Sequence, residues 1–328
     1  MNKPKSMIIG SGMFAPKKVL SNHDLEKIVD TSDEWIRSRT GIERRHILEE
    51  GLTNSDMAAA AGKAAIDNAG LGIGDIDIII VATITPDSIF PATSCRVQDL
   101  LGAENAAVFD ISAACSGFIY GLILGESLLV NGHANNVLVI GSEVLSRFTD
   151  WEDRKTCVLF GDGAGAVVLT RSDGEKGILS SFMKSDGRLG HLLSLPGCGS
   201  TNPVTHLMVD QRLQYIKMEG REVFKHAVRT MVDAATHGLE KAGATSEDVD
   251  ILITHQANIR IIKAVAERLN LPEEKVFVNL QEYGNTSAAS IPIALNQALN
   301  EGRVKPGDKC LLVAFGGGFT WAASFIQF

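Results

Sequence analysis

The chain repeats itself, and the repeat limits the folds open to it more than any other feature. Gly74-Asp-Ile-Asp-Ile-Ile-Ile-Val in the first half returns as Glu247-Asp-Val-Asp-Ile-Leu-Ile-Thr in the second. Each copy is followed by a helical pattern, a short apolar strand, and a loop into an apolar helix that ends at a glycine. Seventeen positions separate Cys115 from Gly132, and seventeen separate Asn285 from Gly302. A further apolar strand follows in both halves, at 137–141 and 311–316. These spacings set Cys115 and Asn285 at matching points of two copies of one supersecondary unit. His255 stands where the first matched strand of the second copy ends.

Short β-branched runs at 76–83, 106–111, 137–141, 164–170, 249–254, 276–278 and 309–315 read as strands. Many hold apolar residues at consecutive positions, so both faces must be covered, as in an α/β sheet. The windows 55–69, 93–101, 116–130, 221–242, 259–269 and 287–300 read as helices. In open α/β sheets chemistry gathers outside the carboxyl ends of strands. A pseudo-two-fold packing of the copies would therefore bring Cys115, His255 and Asn285 into one pocket. No Pro- or Ser-rich linker divides the halves, and the turn-rich stretch at 172–176 is the best boundary. The expected division is 1–174, carrying the nucleophile, and 175–328, carrying His and Asn, packed as one rigid body.

Composition excludes several classes. A formal charge of −8 argues against a surface built to grip nucleic acid. The most apolar stretch, 118–130, is interrupted by Gly121, Gly125 and Glu126 and falls short of a membrane span. Met7-Ile8-Ile9 is too short for a signal-peptide core. A cytoplasmic protein is the expectation. The five cysteines, at 95, 115, 157, 198 and 310, form no C-x-x-C pair, so neither a disulfide framework nor a structural zinc site is expected. Most read as small core residues.

Cys115 opens a helix that is apolar all round, hence buried. A helix N-terminus favours thiolate, and Ala113, Ala114, Ser116 and Gly117 leave room for a substrate. His255 falls between a strand and a helix, and Asn285 opens the second apolar helix, where an N-cap is its ordinary use. Taken singly, each residue is better read as structural; the repeat joins them. Gly316-Gly317-Gly318 after a strand offers either a tight bend or a backbone N–H for a developing oxyanion. Two glycine-rich stretches are set aside. Gly10-Ser-Gly-Met-Phe-Ala matches a dinucleotide fingerprint but runs into Pro16 rather than a helix, and Gly161-Asp-Gly-Ala-Gly leads into a strand.

Further motifs carry a likeness nearly end to end. They are Val29-Asp-Thr-Ser-Asp-Glu-Trp-Ile, Arg39-Thr-Gly-Ile, Asp110-Ile-Ser-Ala-Ala-Cys-Ser-Gly, Phe160-Gly-Asp-Gly-Ala-Gly, His255-Gln-Ala-Asn, Gly284-Asn-Thr-Ser-Ala-Ala-Ser and Ala314-Phe-Gly-Gly-Gly-Phe-Thr-Trp. With them the chain resembles β-ketoacyl-(acyl-carrier-protein) synthase III, the initiating condensing enzymes of bacterial fatty acid synthesis. The resemblance implies an α/β thiolase-like fold, two pseudo-two-fold halves in α-β-α-β-α layers, and a homodimer. It implies the trio Cys115, His255 and Asn285; elongating relatives carry two histidines, so Asn285 favours the initiating branch. The implied reaction is ping-pong. Cys115 takes the acyl group of a short acyl-CoA such as acetyl-CoA, with the amides of Cys115 and Gly317 as oxyanion hole. His255 and Asn285 then stabilise the enolate that malonyl-acyl carrier protein forms on losing CO₂. No metal or redox cofactor is implied.

By the same resemblance Trp35 and Arg154 would sandwich the CoA adenine. Thr31 and Arg39 would lie at the CoA entrance, and Gly220 and Asn258 along the pantetheine arm. Lys225, Gln256, Ala257, Asn258, Ile259 and Arg260 would face the acidic carrier protein. Phe90, Leu145 and Phe160 would wall the acyl pocket. Arg221, where a smaller polar residue is common, and the long segment 196–214 depart from the family pattern and leave primer details open. Three other readings compete: a related condensing enzyme of secondary metabolism with another primer or acceptor, a hydrolase using Cys-His-Asn, and a silent carrier-binding scaffold. An acyl adduct on Cys115 would exclude the last.

Overall fold

The computed structural model describes residues 5–328. Two sheets carry the molecule, and they have the same topology. In the first, the order is Ser6–Phe14, Asp162–Arg171, Asn136–Val144, Ile78–Ala82, Ala107–Ile111. In the second it is Gly177–Ser185, Thr320–Gln327, Lys309–Gly316, Ile251–Thr254. The first two junctions of each sheet are antiparallel and the next is parallel. A fifth strand of the second sheet is reduced to one bridge, Leu252 to Val276. The strand expected at 276–278 is therefore absent as an element. Phe277 still donates to Leu252, but the chain then turns into the short helix Leu280–Tyr283. The strand Gly177–Ser185 was not legible, because its outer half is exposed and polar.

Strand alternation explains the layers. Ile78 and Ile80 face the space between the sheets, where they meet Ile251, Ile253 and Leu312 of the other sheet. The helices Gly117–Val130 and Ser290–Asn300 fill that space, which is why they carry apolar residues all round. Ile79 and Val81 face outward, against Met57, Ala61 and Ala65 of Asn54–Asn68. Leu252 and Leu311 face outward in the second sheet, under Gly220–Ala242 and Ile259–Arg268. The result is the α-β-α-β-α stack that the resemblance implied. Among the described residues no helix is long and apolar enough to cross a membrane.

The strands set a register for the repeat that differs from the one marked by the helix-ending glycines. Ile78 and Ile251 stand 173 positions apart, and so do their parallel partners Val137 and Cys310. The turns entering the central helices, Ala114–Ser116 and Ser287–Ala289, share that spacing. Cys115 therefore matches Ala288, and Asn285 lies before the turn rather than opposite the cysteine. Counting back from the glycines that end the helices sets Asn285 opposite Cys115 instead. One helix has 14 residues and the other 11, which shifts that count.

The rejected glycine motifs are structural. Gly10 and Gly12 lie within a strand, where a Cβ on either would meet Ala65 backbone at 2.4 Å. All five cysteines are free, with Cys157 and Cys310 buried.

Candidate active site

Cys115 is held by its turn rather than by the helix proper. Ala114, with φ of 46°, takes a left-handed conformation that L-residues adopt at a cost, so the turn is held by its surroundings. The surroundings come from the other half. Thr320 Oγ1 donates to the Ala113 carbonyl at 2.9 Å, and Ser116 Oγ donates to the Thr320 carbonyl at 3.0 Å. Gly316 passes so close that a Cβ there would stand 2.7 Å from the Cys115 nitrogen.

The thiol is 9% exposed, and burial pushes its pKa up to about 12. The neighbouring Ser287 hydroxyl and the backbone N–H groups of Cys115 and Gly317 act the other way, while the carboxylate charge of Glu143 adds to the rise. The sequence expectation of a favoured thiolate is thus reversed in the resting molecule, because desolvation outweighs the helix end. The two amides that reach the sulfur are the pair named for an oxyanion hole.

His255 ends Ile251–Thr254, its N–H bonded to the Val313 carbonyl at 2.8 Å. Its Nδ1 lies 2.7 Å from Ser290 Oγ, and that oxygen also accepts the Gln256 N–H at 3.4 Å. His255 Nδ1 is the acceptor within reach of the Ser290 hydroxyl proton, so Ser290 donates to Nδ1 and the ring proton sits on Nε2. Burial lowers the imidazole to about 3, so the ring is a neutral donor. Asn285 is fixed by its backbone, donating to Leu159 at 2.9 Å and accepting from Gly161 at 3.0 Å. Its Oδ1 accepts the Ser287 N–H at 2.9 Å, so the amide NH₂ is what it can offer a substrate.

These three side chains share one channel of about 110 Å³, with Gly220, Phe224, Ala257 and Asn258 also in its wall. On the other side of Cys115 lies a larger chamber of about 360 Å³, lined by Leu145, Phe160, Leu195 and Ile216 among others. Cys115, Phe160 and Leu193 belong to both walls. The sulfur is the joint between a narrow channel and an apolar chamber.

Other expected residues sort by exposure. Phe90 is 85% exposed and lines neither cavity of this chain. Arg154 lies over the Trp35 ring at 4.4 Å, stacked on it rather than spaced for a ring between them, with Asp30 at 3.9 Å. Thr31 is half-buried, and its Oγ1 is a buried atom without a partner. Arg39 is exposed, its carbonyl accepting from Asn258 Nδ2 at 3.1 Å. Lys225 and Arg260 are exposed, with Arg260 over Phe224 at 5.5 Å, at the channel. Gln256 is 1% exposed and is corrected to a structural role: its amide bonds Thr254, Phe277 and Asn279. Ile259 is half-buried and packs against Gly41. Arg221 is exposed, and the 196–214 segment folds around the short helix His206–Asp210, with Arg212 paired to Asp150.

Ser287, Ser290 and Glu143 were missed. The first two read as part of a serine- and alanine-rich helix start. Glu143 did carry a signal, an acid inside an otherwise apolar strand run.

The duplicated sheets, the two central helices and the buried Cys-His-Asn channel define the thiolase-like condensing class. The model described as "3-Oxoacyl-(acyl-carrier-protein (ACP)) synthase III" matches residues 109–187, and its C-terminal counterpart matches 239–328. The chain is 53% identical to the β-ketoacyl-(acyl-carrier-protein) synthase III of Caldanaerobacter subterraneus subsp. tengcongensis over 98% of this chain and 97% of that one. It is also similar to the crystal structure of 3-oxoacyl-(acyl-carrier-protein) synthase III from Aquifex aeolicus VF5: TM-score 0.92, 54% identity, 98% and 100% of the two chains. The priming β-ketosynthase of the R1128 polyketide pathway superposes as well, with a TM-score of 0.91 over 99% and 97% of the chains, but at 34% identity. The chain belongs to the 3-oxoacyl-(acyl-carrier-protein) synthase III family and is a condensing acyltransferase. The reading as a condensing enzyme of secondary metabolism is not favoured.

Proposed function

We propose that this enzyme condenses a short acyl-CoA with malonyl-acyl carrier protein to give a 3-oxoacyl-carrier protein, the step that initiates fatty acid synthesis. Cys115 attacks the acyl-CoA carbonyl, whose oxygen is met by the N–H groups of Cys115 and Gly317. CoA leaves through the channel while the acyl chain lies in the apolar chamber. Malonyl-carrier protein then brings its thioester carbonyl to His255 Nε2–H and the Asn285 NH₂. Both groups are neutral donors, suited to an enolate oxygen whose charge appears only as CO₂ departs. Decarboxylation supplies the carbanion, so the chemistry calls for no metal or redox cofactor.

The observation that carries this reading is the meeting of two cavities at one sulfur, with imidazole and carboxamide on the channel side only. The nucleophile belongs to the half 1–174 and the two donors to 175–328. Trp35 and Arg154 are proposed to hold the CoA adenine after opening their stack, with Thr31 and Arg39 at the entrance and Gly220 and Asn258 along the pantetheine arm. Lys225 and Arg260 give the acidic carrier protein its local positive charge on a chain of net charge −8. The exposed Ile89 and Phe90 fit a surface that a second copy covers in a homodimer. A cytoplasmic location suits both substrates. The test is intact mass after incubation with mixed CoA thioesters, followed by malonyl-carrier protein. An acyl adduct on Cys115 that disappears as 3-oxoacyl-carrier protein forms is expected; release of free acid instead would favour hydrolysis.

A further inference from the structure

Glu143 is fully buried at the end of Asn136–Val144, and the condensation as derived above gives it nothing to do. Its two oxygens are treated differently. Oε2 accepts from Thr85 Oγ1 at 2.6 Å, the Ile84 N–H at 3.1 Å and Thr83 Oγ1 at 3.2 Å. Thr85 Oγ1 already accepts the Val144 N–H at 2.8 Å, so its own proton points at the carboxylate. Oε1 accepts from Ser287 Oγ at 2.9 Å. Ser287 and Cys115 line the same chamber, and the turns that carry them pack against each other. It stands at φ of 48° on the turn that matches the cysteine's own, so its hydroxyl is fixed at the boundary between the halves. With the hydroxyl proton given to Glu143, the lone pairs of Ser287 are free to accept a proton from the chamber side.

We propose that Ser287 and Glu143 form a proton relay that takes the thiol proton when Cys115 is acylated and returns it after condensation. The inference rests on acylation of Cys115. In the first half-reaction the sulfur bonds the acyl carbon and the bond to CoA breaks, releasing CoA thiolate. The S–H proton moves to Ser287 Oγ as the Ser287 proton moves to Glu143 Oε1. In the second, the enolate carbon bonds the acyl carbon and Cys115 leaves as thiolate. Glu143 then protonates Ser287, and Ser287 protonates the sulfur. The carboxyl is neutral only while the cysteine is esterified, and net charge is conserved in each half.

The chemistry of the acid suits the task. Burial raises Glu143 to about 7, against the hydrogen bonds from Thr85, Ile84 and Ser287 that hold it down. It forms no ion pair among the described residues. Asp162 on the adjoining strand is turned to Leu48 and Ser146, and Asp87 to Ser55 and Arg96. The imidazole of His255 offers a proton on Nε2 and has Nδ1 occupied, so it cannot take one from the thiol.

Glu143→Gln tests the relay with the packing retained. The amide oxygen can keep the three donors, and the NH₂ then faces Ser287, which blocks proton uptake. Acylation of the full-length enzyme by acetyl-CoA is followed by quenched-flow mass spectrometry across pH. The wild-type rate should fall below about pH 7, and the substitution should slow acylation by about 100-fold and abolish that inflection. A merely electrostatic Glu143 predicts the opposite sign, because removing its charge would ease thiolate formation and speed acylation. Ser287→Ala leaves the acid in place and should give the same loss, which covers a Glu143 variant that fails to fold. Acylation at the wild-type rate with the wild-type pH profile in both variants would overturn the relay. Absence of any adduct in the wild type would instead overturn the functional reading.

Discussion

The two turns that enter the central helices are near copies, yet one holds the nucleophile and the other does not. Ala114–Ser116 and Ser287–Ala289 each begin with a left-handed residue, at φ of 46° and 48°. Each is pressed by a glycine from a strand of the opposite half. A Cβ at Gly316 would stand 2.7 Å from the Cys115 nitrogen, and one at Gly141 would stand 2.3 Å from the Ala288 oxygen. The scaffold is therefore symmetric and the chemistry is not. Duplication supplies two strained, buried turns meeting across the middle of the molecule. One presents Cys115 to both cavities, while the other buries Ala288 at 1% exposure and spends its flanks on Asn285 and Ser287. A nucleophile and the donors that serve it can thus share one pocket without sharing a turn.

The comparison breaks most sharply at the sulfur. Cys115→Ala should give no acyl adduct and remove condensation to the limit of detection, read by intact mass and by product formation. If the adduct persists at another residue, the asymmetry has been assigned to the wrong turn. Next come the donors from the second half. His255→Ala and Asn285→Ala should each lower condensation by about 10²–10³-fold while Cys115 still acylates, since neither group is needed until the enolate forms. Single-turnover reaction of pre-acylated enzyme with malonyl-carrier protein separates the two steps. Because burial holds His255 down at about 3, that step should show no imidazole titration between about pH 5 and 7. An inflection near the ordinary histidine value would mean that the ring is wetter and more basic than its packing implies.

Much of this was legible in the sequence, and the failures have physical causes. The sheets were readable because strands buried on both faces write continuous apolar runs. Asp75 and Asp77 recur as Asp248 and Asp250 because both pairs do the same work, Asp77 and Asp250 bonding the chain beside their strands and Asp75 and Asp248 closing the turns before them. Those acids carry the true spacing of 173, whereas the helix-ending glycines mark helix length and misled the register. The trio followed from the repeat and the resemblance together. What stayed hidden was environment. Gln256 reads as an exposed polar residue until Thr254, Phe277 and Asn279 close on it. Phe90 reads as a pocket wall until its loop is placed outside. The thiol's protonation depends on a desolvation term that no local motif reports.

The glycines that press the turns provide a third, smaller break. Gly316→Ala and Gly141→Ala both add a methyl where backbone already stands, and each should cost about 1–3 kcal/mol or more of stability. Gly316→Ala should also slow acylation, because the nitrogen it crowds belongs to the proposed oxyanion hole. Gly141→Ala should destabilise with less effect on acylation, because the oxygen it crowds belongs to Ala288. Thermal unfolding and adduct formation measured on the same samples separate the two effects. Equal acylation defects would mean that the two turns move as one body.

The gentlest test puts the nucleophile's side chain on the silent turn. Ala288→Cys adds one sulfur at a position that matches Cys115 in register and in backbone shape, but that lines neither cavity. Extra volume in a packed site should cost about 1–3 kcal/mol, and turnover by Cys115 should change by less than about threefold. Mass spectrometry should find a single acyl group, on Cys115. A second adduct on residue 288 would show that the strained turn alone makes a cysteine reactive. A single adduct assigns reactivity to what surrounds Cys115 instead: the cavities on either side, the Gly317 amide and the hydroxyl of Ser287.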